Sequence, residues 1–282
     1  MTIELAFHQV DVFAASPFKG NPLAVVVGAD GLTDVQMTVI ANWTNLSETT
    51  FLLKPTHPDA DYRVRIFTPQ SELPFAGHPT LGTAHVWLTC GGVPRGSVVV
   101  QECPAGLVRV RTDGGRVAFA APPLVRSGSV EPADLLKAMA ALRLAPEAVV
   151  AAQWCDNGPG WLGVQLRSRA EVLSIRPNYQ ALVGQNLGVV GAWDPAFDGS
   201  EAQFELRAFV GAENGFEDPV TGSLNASIAQ WLIGAGIAPA QYVASQGTAM
   251  GREGRVILEQ SGSDIWVGGR VVTRISGIIR TE

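Results

Sequence analysis

Three side chains stand where this sequence could move protons. Glu48 lies in Asn45-Leu46-Ser47-Glu48-Thr49-Thr50-Phe51-Leu52, a carboxylate entering an apolar strand. Glutamate is rarely buried without a partner. Partial burial raises its pKa and makes it a usable proton acceptor and donor near neutrality. The plainer reading is a solvated glutamate at a strand end. His78 follows Gly77 in Glu72-Leu73-Pro74-Phe75-Ala76-Gly77-His78-Pro79-Thr80-Leu81-Gly82. The glycine permits close approach or unusual dihedrals. The backbone N–H groups of the helix that follows can hold an anion. The imidazole could then donate to a substrate oxygen or shuttle a proton; otherwise it is a capping or packing histidine. Asp218 lies in Glu213-Asn214-Gly215-Phe216-Glu217-Asp218-Pro219-Val220-Thr221-Gly222-Ser223, which also runs into a helix start. Asp218 or Ser223 could simply cap that helix; the functional reading adds substrate contact. Glu217, the neighbour, faces elsewhere.

Such residues need elements to hold them. Strands are expected at 3–13, 21–27, 48–54, 62–67, 97–101, 106–112 and 116–120 from branched and aromatic content between Pro/Gly turns. Thr33 and Gln36 form a T-x-x-Q capping box opening a helix, with Val35, Val39, Ile40 and Trp43 as its apolar stripe. Pro79 is placed as a first helical residue for the helix carrying Ala84 to Leu88. Residues 121–132 read as a linker. Beyond it, helices are expected at 132–142, 177–183 and from about 223 to 233. Strands are expected at 148–154, 161–167, 171–175, 187–193, 203–210, 255–259, 264–267 and 270–276. A weak internal echo appears: Gly77-His78-Pro79-Thr80 and Gly222-Ser223-Leu224-Asn225 each precede a helix with a Trp-Leu pair and a glycine-rich stop. This suggests two similar α+β domains, 1–120 and 121–282, each a curled sheet packed on one main helix. Two such helix starts turned to one cleft would bind a carboxylate or enolate oxygen without a metal.

Composition excludes several classes. The 282 residues are 46% hydrophobic and 16% charged, with a net charge of -6. Disorder by charge excess is excluded, and no nucleic-acid or anionic-membrane partner is expected. No run of about 18 apolar residues suggests a membrane span, and the amino-terminal stretch lacks a basic region, so a cytoplasmic protein is expected. Cys90, Cys103 and Cys155 have no metal-ligand or disulfide-framework spacing, and the four histidines form no HExxH. Gly234-Ala235-Gly236-Ile237-Ala238-Pro239 follows a helix and ends in proline, so it is a helix stop and not a dinucleotide fingerprint. Arg63, Arg65, Arg109, Arg111 and Arg207 alternate with apolar residues and read as solvated strand faces. The tryptophans, Trp43, Trp154 and Trp266 among them, read as core or cleft packing.

Four segments carry a family resemblance: FHQVDVFAASPFKGNPLAVVV at 7–27, NLSETTFLL at 45–53, RIFTPQSELPFAGHPTLGTAHV at 65–86 and GFEDPVTGSLNAS at 215–227. Together they resemble the PhzF-like family, named for the phenazine-biosynthesis isomerase of trans-2,3-dihydro-3-hydroxyanthranilate. The resemblance implies a diaminopimelate epimerase-like fold: two pseudo-symmetric domains, each a barrel-like, mostly antiparallel sheet around a central helix, with a cleft between them. On this pattern the closing strand is expected to cross back to the first domain. It also implies a homodimer without metal, flavin or nicotinamide. Glu48 matches the family's proton-moving glutamate, His78 its histidine, and Asp218 and Ser223 the second-domain aspartate and serine; Gly77 and Gly222 fall in the same loops. Related epimerases carry a cysteine in each of these loops, and this chain has none there, which argues against a two-thiol racemase. Three functions follow: a cofactor-independent isomerase of a small carboxylated cyclic or amino-acid-like metabolite, an epimerase using Glu48 and Asp218, or a non-catalytic metabolite-binding protein.

Overall fold

Alternating branched residues build the first strand, β1 (Ile3–Val12), and the computed structural model describes residues 3–213 and 215–281. The fold is α+β and divides into two compact units. The first comprises the chain up to Ala120 together with the residues from Gly268 onward; the second runs from Ala121 to Val267.

In the first unit β1 is followed by β2 (Asn21–Val27), α1 (Asp34–Thr44), β3 (Thr49–Leu53), β4 (Tyr62–Phe67), β5 (Glu72–Leu73), α2 (Gly77–Thr89), β6 (Val99–Cys103), β7 (Gly106–Asp113) and β8 (Arg116–Ala120). The second unit holds β9 (Arg126–Ser129), α3 (Pro132–Leu142), β10 (Ala151–Asp156), β11 (Trp161–Leu166), α4 (Arg169–Ser174), β12 (Asn186–Ala192), β13 (Phe204–Val210), β14 (Phe216–Asp218), α5 (Gly222–Gly234), β15 (Gln241–Gln246) and β16 (Gly254–Ser261). The last strand, β17 (Asp264–Thr281), begins in the second unit and ends in the first.

The first unit is a closed barrel. Its ladder runs β1, β2, β3, β4, β6, β7, β8 and β17, and β17 pairs back onto β1. The β2–β3 and β4–β6 pairings are parallel, and the β1–β17, β1–β2, β3–β4, β6–β7 and β7–β8 pairings are antiparallel. Helix α2 lies against β1, β2, β3, β4, β6 and β8, and is buried almost throughout. A round-the-barrel environment needs a helix apolar on every side, and His78, Leu81, Ala84 and Val86 are all buried. Gly82 lets it approach the wall: a Cβ there would lie 2.4 Å from Leu23 Cδ2 and 2.9 Å from Val10 Cγ2. On the outside, α1 buries Met37, Ile40 and Ala41 against Phe51, Leu53 and Phe67.

The second unit repeats the order. Its sheet runs β9, β10, β11, β12, β13, β15 and β16, with parallel β11–β12 and β13–β15 pairs. Helix α5 lies on β10, β11, β12 and β16. Here the sheet supplies the glycine: a Cβ on Gly188 would sit 2.1 Å from Leu224 Cδ1. A separate cluster joins Ala138, Ala141 and Leu142 of α3 to Leu162, Val164 and Phe209.

Several expectations are corrected. The α1 stripe is misplaced: Val35, Val39 and Trp43 are exposed, because the helix turns its Met37–Ile40–Ala41 side to the barrel wall. Its capping box is present, with the Thr33 hydroxyl accepting from the Gln36 N–H. Helix α2 begins at Gly77, so Pro79 is its third residue. The segment read as a linker contains β9, which pairs with β10. Residues 171–175 are not a strand: Ser168 caps α4 by accepting from the Glu171 N–H, an S-x-x-E start passed over in the sequence. Residues 177–183 are not a helix: the hydrogen bonds Ala181 to Asn178 and Leu182 to Tyr179 span three residues and make successive turns. Strand β15 was not anticipated, and β17 continues through Gly268, where a Cβ would meet Ala118 Cβ at 2.7 Å. Among the described residues, no helix is long and apolar enough to cross a membrane.

Candidate active site

The first unit brings Glu48 and His78 together. Asn45 ends α1 in a left-handed conformation, φ 52° and ψ 33°, and the chain then enters β3 one residue after Glu48. A hydroxyl pair, Thr44 Oγ1 and Thr49 Oγ1 at 2.7 Å, ties the two ends of this connection. Glu48 therefore sits where a helix exit and a parallel strand meet, and its side chain is only 16% exposed. His78 is the second residue of α2 and is buried. Its Nε2 lies 3.3 Å from Glu48 Oε2. Its Nδ1 lies 3.3 Å from Nδ2 of Asn21, itself wholly buried at the start of β2. With the Asn21 amide as donor, Nδ1 is the acceptor and the ring proton falls on Nε2, the nitrogen nearer Glu48.

Burial pushes the His78 pKa down to about 3, so the ring is neutral at neutral pH. The pair is thus a neutral imidazole beside a carboxyl group, not an imidazolium ion pair. Its separation exceeds the 2.7–2.9 Å common for charge-assisted bonds. Contacts of this kind often tighten only when substrate is bound.

The second unit gathers Asp218, Gly222 and Ser223 at the start of α5. Asp218 ends β14, opposite Ala208 of β13. Its Oδ2 accepts from Thr221 Oγ1 at 2.5 Å, and its carbonyl accepts from Gln246 Nε2 at 3.0 Å. Gln246 is the hub: its Oε1 also accepts from the Thr221 N–H at 3.0 Å and from Asn225 Nδ2 at 2.8 Å. A buried amide with this many partners holds a loop in one conformation. Ser223 Oγ accepts from the Trp161 indole N–H at 3.1 Å, and the Ser223 carbonyl accepts from Asn157 Nδ2 at 2.9 Å. The indole occupies one acceptor position of the hydroxyl, which keeps its own proton to donate.

Neither site helix is capped by a side chain. Ala76 precedes α2 and Thr221 precedes α5, each in extended conformation and without a side-chain cap bond. The alternative reading, in which His78, Asp218 or Ser223 caps a helix, does not hold: each side chain belongs to another contact. Gly77 and Gly222 are the first helical residues and neither has a positive φ, so of the two uses open to Gly77 the unusual dihedrals are not the one made. Arg207 is corrected too. It is buried, not solvated, and forms a two-bond fork with Glu217 at 2.9 and 2.7 Å. Trp43, read as packing, is exposed.

The sequence reading missed Asn21, Thr221, Asn225 and Gln246. Asn21 was legible as a polar residue heading an otherwise apolar strand, NPLAVVV. Gln246 precedes Gly247, which has φ 92° and ends β15 in a turn. Among the described residues, no group of three or more His, Cys, Asp or Glu is placed to hold a metal ion. The three cysteines are free thiols, Cys90 exposed and Cys103 and Cys155 buried.

The α+β fold of two like units thus carries Glu48 beside a buried His78 at one central-helix start, and a carboxylate and hydroxyls at the other. The chain belongs to the phenazine biosynthesis-like family, whose profile matches residues 10–277. It is 34% identical to trans-2,3-dihydro-3-hydroxyanthranilate isomerase of Pseudomonas aeruginosa over 262 residues, covering 90% of each chain. It is 35% identical over 296 residues to antisense-enhancing sequence 1 of Schizosaccharomyces pombe, covering 97% of this chain and 98% of the relative. A crystal structure of a phenazine biosynthesis protein of the PhzF family from Enterococcus faecalis superposes with a TM-score of 0.80 at 27% identity, covering 98% of this chain and 99% of that one.

Proposed function

We propose that this protein is a cofactor-independent isomerase that moves a proton between two carbons of a small carboxylated metabolite, cyclic or amino-acid-like. The observation that carries this reading is the 3.3 Å approach of Glu48 Oε2 to Nε2 of a buried, neutral His78. Glu48 takes a proton from a substrate carbon, and the C–H bonding pair enters the neighbouring unsaturated system. The double bond shifts, and Glu48 returns the proton to a second carbon. The balance closes within one substrate, so no external oxidant, reductant or leaving group enters. His78, as a neutral N–H donor, orients the carboxylate and hydrogen-bonds the charge that develops. Asp218, like His78, positions the substrate and hydrogen-bonds its polar groups. Ser223 and the loop amides of Gly77 and Gly222 bind polar groups, since uncapped helix starts offer free N–H donors to an anion. Isomerase relatives at about a third identity support the class of reaction. The protein acts as a homodimer in this reading.

Solvent-deuterium incorporation tests it, with trans-2,3-dihydro-3-hydroxyanthranilate as the first probe because a relative carries that name. Wild-type protein is expected to place deuterium on a substrate carbon and Glu48→Gln to lose about 10²–10⁴-fold in rate. Full activity in Glu48→Gln rejects the assignment.

A further inference from the structure

The two site loops are anchored by the same device. In the first unit Arg65 of β4 donates from Nε and Nη2 to the two carboxylate oxygens of Glu72 on β5, at 2.8 and 2.6 Å. In the second unit Arg207 of β13 donates from the same two nitrogens to Glu217 on β14, at 2.9 and 2.7 Å. The register is also the same. Glu72 stands opposite Phe67, two residues after Arg65; Glu217 stands opposite Phe209, two residues after Arg207. Each guanidinium lies over that phenylalanine ring, at 5.0 and 4.8 Å from its centroid. Five residues beyond Glu72 comes Gly77; five beyond Glu217 comes Gly222.

From this geometry we infer that Arg207 and Glu217 are positioning residues, which act on the reaction through Asp218. The inference rests on the proton-transfer reading given above. β14 is three residues long, too short to fix its own register by ladder bonds alone. In a strand, adjacent side chains point to opposite faces, and a slip of one residue exchanges them. A forked bond on Glu217 therefore dictates the face that Asp218 presents, and with it the bond from Thr221 Oγ1. The fork is itself anchored. Arg207 Nη1 donates to the carbonyls of Val172 and Ile175 at 3.1 and 2.9 Å, so the guanidinium is held from β14, from the phenylalanine ring and from the end of α4. A planar, bidentate guanidinium can hold this arrangement and a lysine cannot.

Arg207→Lys and Glu217→Gln test the role, with melting temperature, amide exchange of residues 216–221 and steady-state kinetics measured on the full chain. The kinetic probe is trans-2,3-dihydro-3-hydroxyanthranilate. In a folded Arg207→Lys protein the Thr221 amide, bonded to Gln246, is expected to exchange about tenfold faster. In the same protein kcat is expected to fall about a hundredfold while KM stays within about twofold. Glu217→Gln keeps the shape of the fork and is expected to retain more of both. Unchanged loop exchange in folded variants overturns the inference, as does failure of both variants to fold, which assigns the fork to the core. Glu48→Gln separates the two readings: it removes turnover and leaves the exchange of 216–221 at wild-type rates. Should wild-type protein not turn over the probe, loop exchange alone decides the fork.

Discussion

The segments from Arg65 to Thr80 and from Arg207 to Asn225 follow one plan and spend it differently. Each runs arginine, phenylalanine, glutamate, proline, glycine and helix, with the forked bond and ring contact described above. Around this frame the substituents diverge. Leu73 follows the glutamate in one copy and Asp218 in the other; Ala76 corresponds to Thr221, and His78 to Ser223. One copy gives its helix start an imidazole beside Glu48, and the other a carboxylate tied to a threonine hydroxyl. The forks differ in environment as well. Arg65 and Glu72 are 23% and 32% exposed in their side chains, and Arg65 also pairs with Asp34 of α1. Arg207 and Glu217 are 5% and 7% exposed, and the second anchor is a pair of backbone carbonyls. The frame is therefore a geometric device that tolerates two dielectric settings, while the polar groups carried at the helix starts differ from one unit to the other.

The largest expected contrast breaks that equivalence directly. Glu217→Leu strands a buried guanidinium, and losing one partner of a buried pair costs about 3–5 kcal/mol. Glu72→Leu leaves Arg65 partly in water and still beside Asp34, so the cost should be about 0–1 kcal/mol. Urea denaturation of the two variants measures the difference. Equal losses would mean that burial does not distinguish the forks.

A second contrast uses pH. The folded His78 pKa lies below its unfolded value of about 6.5, through burial. As pH falls below about 6.5 the unfolded chain binds the proton and the native chain does not. His78 therefore costs nothing above that pH, and its penalty grows down to about pH 3, at about 1.4 kcal/mol per unit. At pH 5 wild-type protein should have lost about 2 kcal/mol more than His78→Gln, relative to pH 8. Ser223→Ala removes a non-titrating side chain and should track wild type across the range. Parallel curves for wild type and His78→Gln would contradict a neutral, buried ring.

Much of this was legible in the residues. NPLAVVV gives β2 to the residue, because branched apolar side chains suit a strand buried on both faces. The box at Thr33 and Gln36 opens α1, and Glu48, His78, Asp218 and Ser223 stood out by type and setting. What stayed hidden was tertiary. Nothing local decides whether α1 buries Val35 or Met37, since both faces carry apolar residues. Nothing local separates Arg207 from Arg109 either: both alternate with apolar neighbours, and only the return of Glu217 on β14 and the carbonyls ending α4 bury one of them. Gln246 was invisible for the same reason, as its partners lie 21 to 28 positions away in sequence.

The smallest contrast concerns how each central helix meets its sheet. In the first unit the glycine is on the helix, at Gly82; in the second it is on the strand, at Gly188. Alanine at Gly82 would crowd Leu23, Val10 and Val12, two of them branched at Cβ and unable to turn aside. Overpacking of this kind costs about 1–3 kcal/mol, and the better helix propensity of alanine returns about 1 kcal/mol of it. The three atoms nearest an alanine Cβ at Gly188 all belong to Leu224, whose side chain can change rotamer, but the substitution receives no helix compensation. The two substitutions should therefore cost similar amounts, up to about 2 kcal/mol each. Relief distinguishes them: Leu224→Ala should rescue Gly188→Ala by opening the space its Cβ needs, while Leu23→Ala should rescue Gly82→Ala only in part, because Val10 and Val12 remain. Double-mutant cycles on both pairs measure the coupling, and equal, complete rescue would show that the helix in the barrel is no more tightly held than its counterpart.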